Sequence, residues 1–258
     1  MLGEMWQFRG RYKILHMTWF AFFLSFVVWF NLAPLATSVK ADLGLEVSQI
    51  RTIAICNVAL TVPARIIIGM LLDRFGPRRT YSILLMYAAV PCIMFAAAQN
   101  FSQLVVSRLL LSIVGAGFVI GIRMVAEWFP PKEIGLAEGI YGGWGNFGSA
   151  ASAFTLPTIG GWLAMGAPGA GEILNWRACI AGTGIIAALY GILYFFNVQD
   201  TPPGKVYRRP KSARGLEVTS KKDFWFLMVM NAPLTGILMV LGWRLSRVGL
   251  YEQNTMYI

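Results

Sequence analysis

Two arginines stand where a solitary positive charge is costly. Arg65 lies in Leu60-Thr61-Val62-Pro63-Ala64-Arg65-Ile66-Ile67-Ile68, and Arg108 in Val105-Val106-Ser107-Arg108-Leu109-Leu110-Leu111. A charge at bilayer depth costs about 2.5–3.5 kcal/mol on insertion scales and is normally offset by an opposite charge. No Asp or Glu falls inside any of the long apolar runs; Glu127, Glu133 and Glu138 sit near run ends. The chemistry this pattern points to is capture of an anion brought from outside. Arg suits a planar oxyanion better than Lys does, because its rigid fork presents several donors in one plane. Arg65 is the sharper candidate, since Pro63 beside it implies a kinked helix facing protein or water. Arg108 lies in the outer third of its run, ahead of Gly115-Ala116-Gly117, and a structural or gating role fits it at least as well as substrate contact. Asn146 adds a strong hydrogen-bonding amide near the middle of another apolar run.

The elements that must position these side chains follow from composition. Of 258 residues, 57% are apolar and 13% charged, and the mean hydropathy is +0.60. Soluble domains are about 45–50% apolar and about 25% charged, so a water-facing surface cannot be assembled from this chain. Disorder is excluded by the same excess of apolar residues. Cys56, Cys92 and Cys179 lie in apolar runs with no disulfide or zinc spacing, so neither a disulfide framework nor a metal site is expected. The net charge of +10 falls in short gaps between apolar runs, which marks topology rather than nucleic-acid binding.

About 20 mostly apolar residues cross the hydrocarbon, and seven segments qualify: 14–36, 50–72, 80–98, 102–124, 134–160, 178–197 and 223–243. The first is long and rich in Trp and Phe without a small-residue cleavage site, so it reads as a retained span. With the N-terminus inside, fifteen Lys and Arg fall on one side and five on the other. That bias places the N-terminus and the basic loops in the cytoplasm. Residues 1–198 then form a six-helix half, 199–222 a basic cytoplasmic linker, and 223–258 a seventh helix with the start of a second half. The chain closes on Gly249–Ile258, a loop turning apolar again, and so reads as one that stops before an eighth span.

Two further stretches carry mechanism. Gly69-Met70-Leu71-Leu72-Asp73-Arg74-Phe75-Gly76-Pro77-Arg78-Arg79 joins spans two and three. Gly69 permits close approach of another helix, Asp73 is placed to accept from Arg side chains or a helix N-terminus, and Gly76-Pro77 makes the reversal. Span five repeats small residues through Gly139, Gly142, Gly143, Gly145, Gly148 and Ser152, a thin face suited to a sliding contact.

The G-x-L-x-D-R-x-G-x-R-R spacing resembles the cytoplasmic loop motif of the major facilitator superfamily. Gly142-Gly143-Trp144-Gly145-Asn146-Phe147-Gly148 resembles the signature of its nitrate/nitrite porter family, with Glu127-Trp128-Phe129-Pro130-Pro131 upstream and Trp29-Phe30-Asn31-Leu32-Ala33-Pro34-Leu35 before it. The resemblance implies an all-α membrane fold: a major facilitator-type helical bundle of two six-helix halves, each built from inverted three-helix repeats, around a midplane site. It implies that Arg65 grips the anion with an arginine of span eight, that Asn146 adds a hydrogen bond, and that Phe118, with Trp29 or Phe30, walls the site. It also implies gating by Gly69, Asp73, Arg74, Gly76, Arg78 and Arg79, by Arg108, and by the span-five glycines.

The expected function is therefore secondary transport of nitrate or nitrite by alternating access. A carrier of formate, oxalate or a phosphate ester fits the arginines but not the span-five pattern; a non-transporting truncated membrane protein is the other alternative. Catalysis and cofactors are not expected, because no nucleophile–base pair, metal cluster or phosphate loop is present. His16, the single histidine, begins span one and reads as interfacial rather than as a proton relay. The expected partners are the anion, the bilayer and the second half of the carrier, in the cell (inner) membrane and without nucleic acid.

Overall fold

A computed structural model describes residues 8–164, 174–205 and 207. These fall in one compact unit, Met1–Arg208; the expected seventh helix lies outside the described residues. The described chain is all α-helical and builds six antiparallel rods. The first rod is α1 (Gly10–Phe30), a 3-10 turn (Ala33–Leu35) and α2 (Ala36–Leu43). The second is α3 (Val47–Ala59) and α4 (Thr61–Phe75), and the third is α5 (Pro77–Ala97). The fourth is α6 (Phe101–Leu111), a 3-10 segment (Ser112–Ala116) and α7 (Gly117–Trp128). The fifth is α8 (Pro131–Ala164), and the sixth α9 (Trp176–Asn197).

Every expected span from one to six is present, but three of them are broken. Each break has a residue that causes it. Pro34 ends α1 in a 3-10 turn. Pro63 occupies the first turn of α4 and has no N–H to continue the ladder from α3, so the chain resets at Leu60. The Gly115-Ala116-Gly117 run tightens into 3-10 geometry between α6 and α7. Pro91 lies within α5, which continues past it.

The rod ends carry sequence-encoded stops. Glu46 and Gln49 form a reciprocal capping box on α3. Asn100 caps α6 by accepting from the Gln103 N–H at 3.0 Å, and Asn175 caps α9 by accepting from Ala178 N–H at 3.2 Å. Gly44 and Gly76 take positive φ at the two tightest reversals. Five of the six rods are long and apolar enough to cross a membrane. The fifth, α8, is 34 residues long; its glycines, serines and threonines lower its hydropathy, because it is built for close packing rather than for oiliness.

Close packing concentrates on two helix pairs. α8 lies along α1, where a Cβ at Gly145 would fall inside the Phe22 ring and one at Gly148 against the Phe23 carbonyl. α9 lies along α5, where a Cβ at Gly184 would meet Cys92 at 2.5 Å and one at Gly191 the Ser82 carbonyl at 2.9 Å. Ion pairs tie rod ends: Arg11 to Glu133 at 2.9 Å, and Arg177 to Asp42 at 3.1 Å.

Candidate functional site

The broken rods meet around Arg108. Its side chain is 1% exposed. One guanidinium nitrogen donates to Asn31 Oδ1 at 2.8 Å and the other to the Trp29 carbonyl at 3.3 Å, with the Phe95 ring centre 5.3 Å from the charge. Asn31 Nδ2 in turn donates to Thr183 Oγ1 at 2.9 Å. Trp29 Nε1 donates to the Asn57 carbonyl at 2.8 Å, and Asn57 Nδ2 returns a bond to the Trp29 carbonyl at 2.9 Å. Thr61 Oγ1 donates to the Ser112 carbonyl at 3.1 Å. Carbonyls released where the helices break are thus answered by side chains from neighbouring rods, as a low-dielectric interior requires. Arg108, on α6, clasps the end of α1 and the Phe95 ring of α5, and is linked to α9 through Asn31. Two of its three nitrogens and one ring face meet groups of the chain itself, while Nε is buried without a hydrogen-bond partner among the described residues.

Arg65 is the opposite case. α4 buries Thr61, Ala64, Ile68 and Leu72, and Arg65 stands at the edge of that stripe, exposed. Among the described residues it makes no hydrogen bond, ion pair or ring contact. It lies ten residues from the Phe75 end of α4, roughly 15 Å along the axis at 1.5 Å per residue. At 100° per residue it shares a flank with Val62 and Gly69, away from the Ile67 and Leu71 flank that meets α5. A Cβ on Gly69 would meet nothing within 4 Å, so the close approach expected there finds no partner among the described residues.

Asn146 is likewise exposed on α8. One of its amide N–H groups donates to the Gly142 carbonyl at 2.7 Å, which leaves the other N–H and Oδ1 without partners among the described residues. The span-five glycines, expected as one thin face, divide into two. Gly145 and Gly148 are filled by α1, whereas Gly139, Gly142 and Gly143 have open space above them. Phe118, at the start of α7, is half-buried. Its ring lies 5.4 Å from Phe22 and stacks on Tyr141 at 6.1 Å, and its carbonyl accepts from the Tyr141 hydroxyl at 3.1 Å. Trp29 and Phe30 pack on each other with centres 4.9 Å apart. The indole N–H of Trp29 is already used, so only ring faces remain for a ligand. α4 packs on α5 and α7, and α8 on α1 and α7. Arg65 and Asn146 therefore rise from different rods, with α7 packed against both.

The loop between the second and third rods differs from its reading. Asp73 is exposed and makes no hydrogen bond or ion pair among the described residues. The acid at the N-terminus of α5 is Asp200: its Oδ1 accepts from Arg78 N–H at 2.7 Å, and a Cβ at Gly76 would sit 2.8 Å from that same oxygen. Nothing in local sequence foretold this, because the cap arrives from a residue more than a hundred positions away. Arg78 turns its guanidinium over the Phe195 ring, 4.8 Å from its centre, and Arg74 lies 5.3 Å from that of Phe75. Arg79 is exposed. The start of the expected linker is docked on the bundle. The Gln199 carbonyl accepts from Trp128 Nε1 at 3.1 Å, and the Tyr207 hydroxyl donates to the Leu72 carbonyl at 3.3 Å. Burial pushes the Tyr207 phenol above its ordinary value, against the opposing pull of Arg123.

Sequence reasoning missed the roles of Asn31, Asn57, Thr61 and Asp200. The first three had a readable signal: each is a polar residue within a few positions of a helix-breaking Pro or Gly, where freed carbonyls need partners.

Comparison with known proteins places this geometry. The chain is 70% identical to the nitrate/nitrite transporter NrtP of Picosynechococcus sp., across 96% of this chain and 50% of the relative. It is 59% identical to the nitrate/nitrite transporter NrtP of Nostoc punctiforme, across 96% of this chain and 49% of the relative. The chain thus spans about half the length of the curated relatives it matches. Among solved structures, a bacterial homologue of the human lysosomal transporter Spinster, inward-facing and occupied, superimposes with a TM-score of 0.61. It is 20% identical, over 83% of this chain and 49% of that one, a likeness of fold alone. The family model for the Major Facilitator Superfamily matches residues 18–251. With its apolar helical rods, this chain is a multi-pass membrane protein and belongs to the major facilitator superfamily.

Proposed function

We propose that this chain supplies the first six helices, a linker (199–222) and the opening of the second half (223–258) of a carrier that moves nitrate or nitrite by alternating access. The observation that carries the reading is Arg65: an exposed guanidinium with no partner among the described residues, roughly 15 Å inside a membrane-spanning helix, in a chain whose relatives are named nitrate/nitrite transporters. Arg65 binds one edge of the flat anion, and an arginine from the second half binds the other. The Asn146 N–H that no described residue accepts adds direction, and Phe118, Trp29 and Phe30 supply ring faces that keep water out. The open glycines Gly139, Gly142 and Gly143, with Gly69, form the thin surfaces on which the second half rocks. Asp73, Arg74, Gly76, Arg78 and Arg79 form the cytoplasmic latch, and Arg108 fixes the half as a rigid body. The carrier resides in the cell (inner) membrane with its N-terminus in the cytoplasm, as the fifteen-to-five distribution of basic residues favours.

The test is uptake of isotopically labelled nitrate by cells expressing the complete coding frame that contains this chain. Arg65→Lys keeps the charge but loses the planar fork. Uptake should fall at least about tenfold at unchanged membrane abundance, the size expected for a charge-assisted hydrogen bond worth about 1.5–3 kcal/mol. Unchanged uptake would remove Arg65 from the site. Equal competition by formate or oxalate would replace the nitrate reading with that of a broader anion carrier.

A further inference from the structure

On the side of α4 away from Arg65, a groove of about 350 Å³ opens between α4 and α5. Its walls are Ile67, Leu71 and Phe75 from α4 and Ile83, Leu84 and Tyr87 from α5. The polar atoms at its edge are turned away: the Tyr87 hydroxyl donates to the Leu110 carbonyl at 3.0 Å, and Thr80 Oγ1 to the Gly76 carbonyl at 2.8 Å. What lines the groove is hydrocarbon and ring. It runs from Phe75 to Ile67, eight residues or roughly 12 Å along the helix, and ends at the loop that holds the arginines.

Two of those arginines flank its mouth. Arg74 follows Leu71 by three positions and Arg79 precedes Ile83 by four, so helical periodicity sets each beside a groove-lining residue. Both are exposed, and neither has a carboxylate partner among the described residues. Arg78 points elsewhere, over Phe195, and Asp200 already satisfies the start of α5. The groove therefore couples a slot with room only for hydrocarbon to two positive charges that no carboxylate of the described residues meets, at one end of a helix pair that spans the membrane. That combination is complementary to a molecule with an alkyl chain and a negative head. We propose that it is a binding site for an anionic phospholipid, with one acyl chain along α4 and α5 and the phosphate between Arg74 and Arg79. Basic clusters at the membrane surface recognise such headgroups by charge, while the aliphatic stems of the arginines extend the slot.

The full chain, reconstituted in phosphatidylcholine nanodiscs with a minor fraction of phosphatidylglycerol and then extracted in mild detergent, tests this by native mass spectrometry. The unaltered chain should retain phosphatidylglycerol in preference to phosphatidylcholine. The double variant Arg74→Gln/Arg79→Gln should lose that preference by about thirtyfold, the factor two basic residues give at an anionic surface. Ile83→Trp fills the groove and should reduce retention of both lipids with the melting temperature kept; Leu71→Trp repeats the block from the facing wall if the first variant does not fold. Excess glycerol phosphate should not displace the lipid, since the headgroup alone lacks the chain. Equal phosphatidylglycerol retention by all variants, full displacement by glycerol phosphate, or a cross-link showing a protein helix over Ile83 would each overturn the proposal.

Discussion

Arg108 and Arg65 are the same side chain within apolar rods of the same bundle, and the structure treats them in opposite ways. Arg108 is sealed among Asn31, the Trp29 carbonyl and Phe95; Arg65 has no partner among the described residues. The difference teaches that a buried arginine without an acid is not by itself a ligand site. Helix breaks create free carbonyls, and those carbonyls give a guanidinium hydrogen-bond acceptors where no carboxylate is at hand. Only the arginine on an exposed face, turned away from those carbonyls, is left with capacity for something from outside.

The largest effect expected from breaking this contrast is on folding. Arg108→Ala leaves Asn31 Oδ1 buried without a donor and opens a cavity, a loss of about 2–4 kcal/mol. Membrane abundance and the melting temperature in detergent should both drop. Arg65→Ala should change stability by no more than about 0.5 kcal/mol, as for an exposed residue without partners. Equal losses at the two positions would dissolve the distinction.

The glycines of α8 sharpen the same contrast on a smaller scale. A methyl on Gly145 collides with Phe22 and one on Gly142 meets open space. Gly145→Ala should cost about 1–3 kcal/mol through overpacking, whereas Gly142→Ala should be neutral or slightly stabilising in this chain. If Gly142→Ala nevertheless abolishes transport by the complete carrier while the fold is intact, the open face is a moving contact.

The smallest effect concerns the two acids of the cytoplasmic loop region. Asp200→Ala removes a helix cap and should cost about 1 kcal/mol, read as a lower denaturation midpoint and faster amide exchange at Arg78. Asp73→Ala should leave both unchanged, because Asp73 bonds nothing among the described residues. A larger loss at Asp73 than at Asp200 would reverse the assignment.

Much was legible before any coordinates. Long apolar runs separated by basic gaps can only be membrane helices, since no soluble surface can be assembled from them; six helices appear at the expected positions, five of them apolar enough to cross a membrane. Pro63 announced the break beside Arg65, and Gly76-Pro77 the turn it makes. The breaks at Pro34 and Gly115 were visible as residues but not as structure, because a helix-breaker's effect depends on whether neighbours can answer the carbonyls it frees.

The sequence by itself determined class, the course of the first six helices and the presence of positive charge without a local acid, because these depend only on local composition and the rise of a helix, about 1.5 Å per residue. Tertiary structure decided which charge stays uncompensated. Asn31, Thr183 and Asp200 lie 77, 152 and 122 residues from the groups they bond, and no local pattern encodes a pairing at that separation. The same holds for the glycines: spacing makes the thin faces, but only the course of α1 across α8 decides which are filled and which stay open.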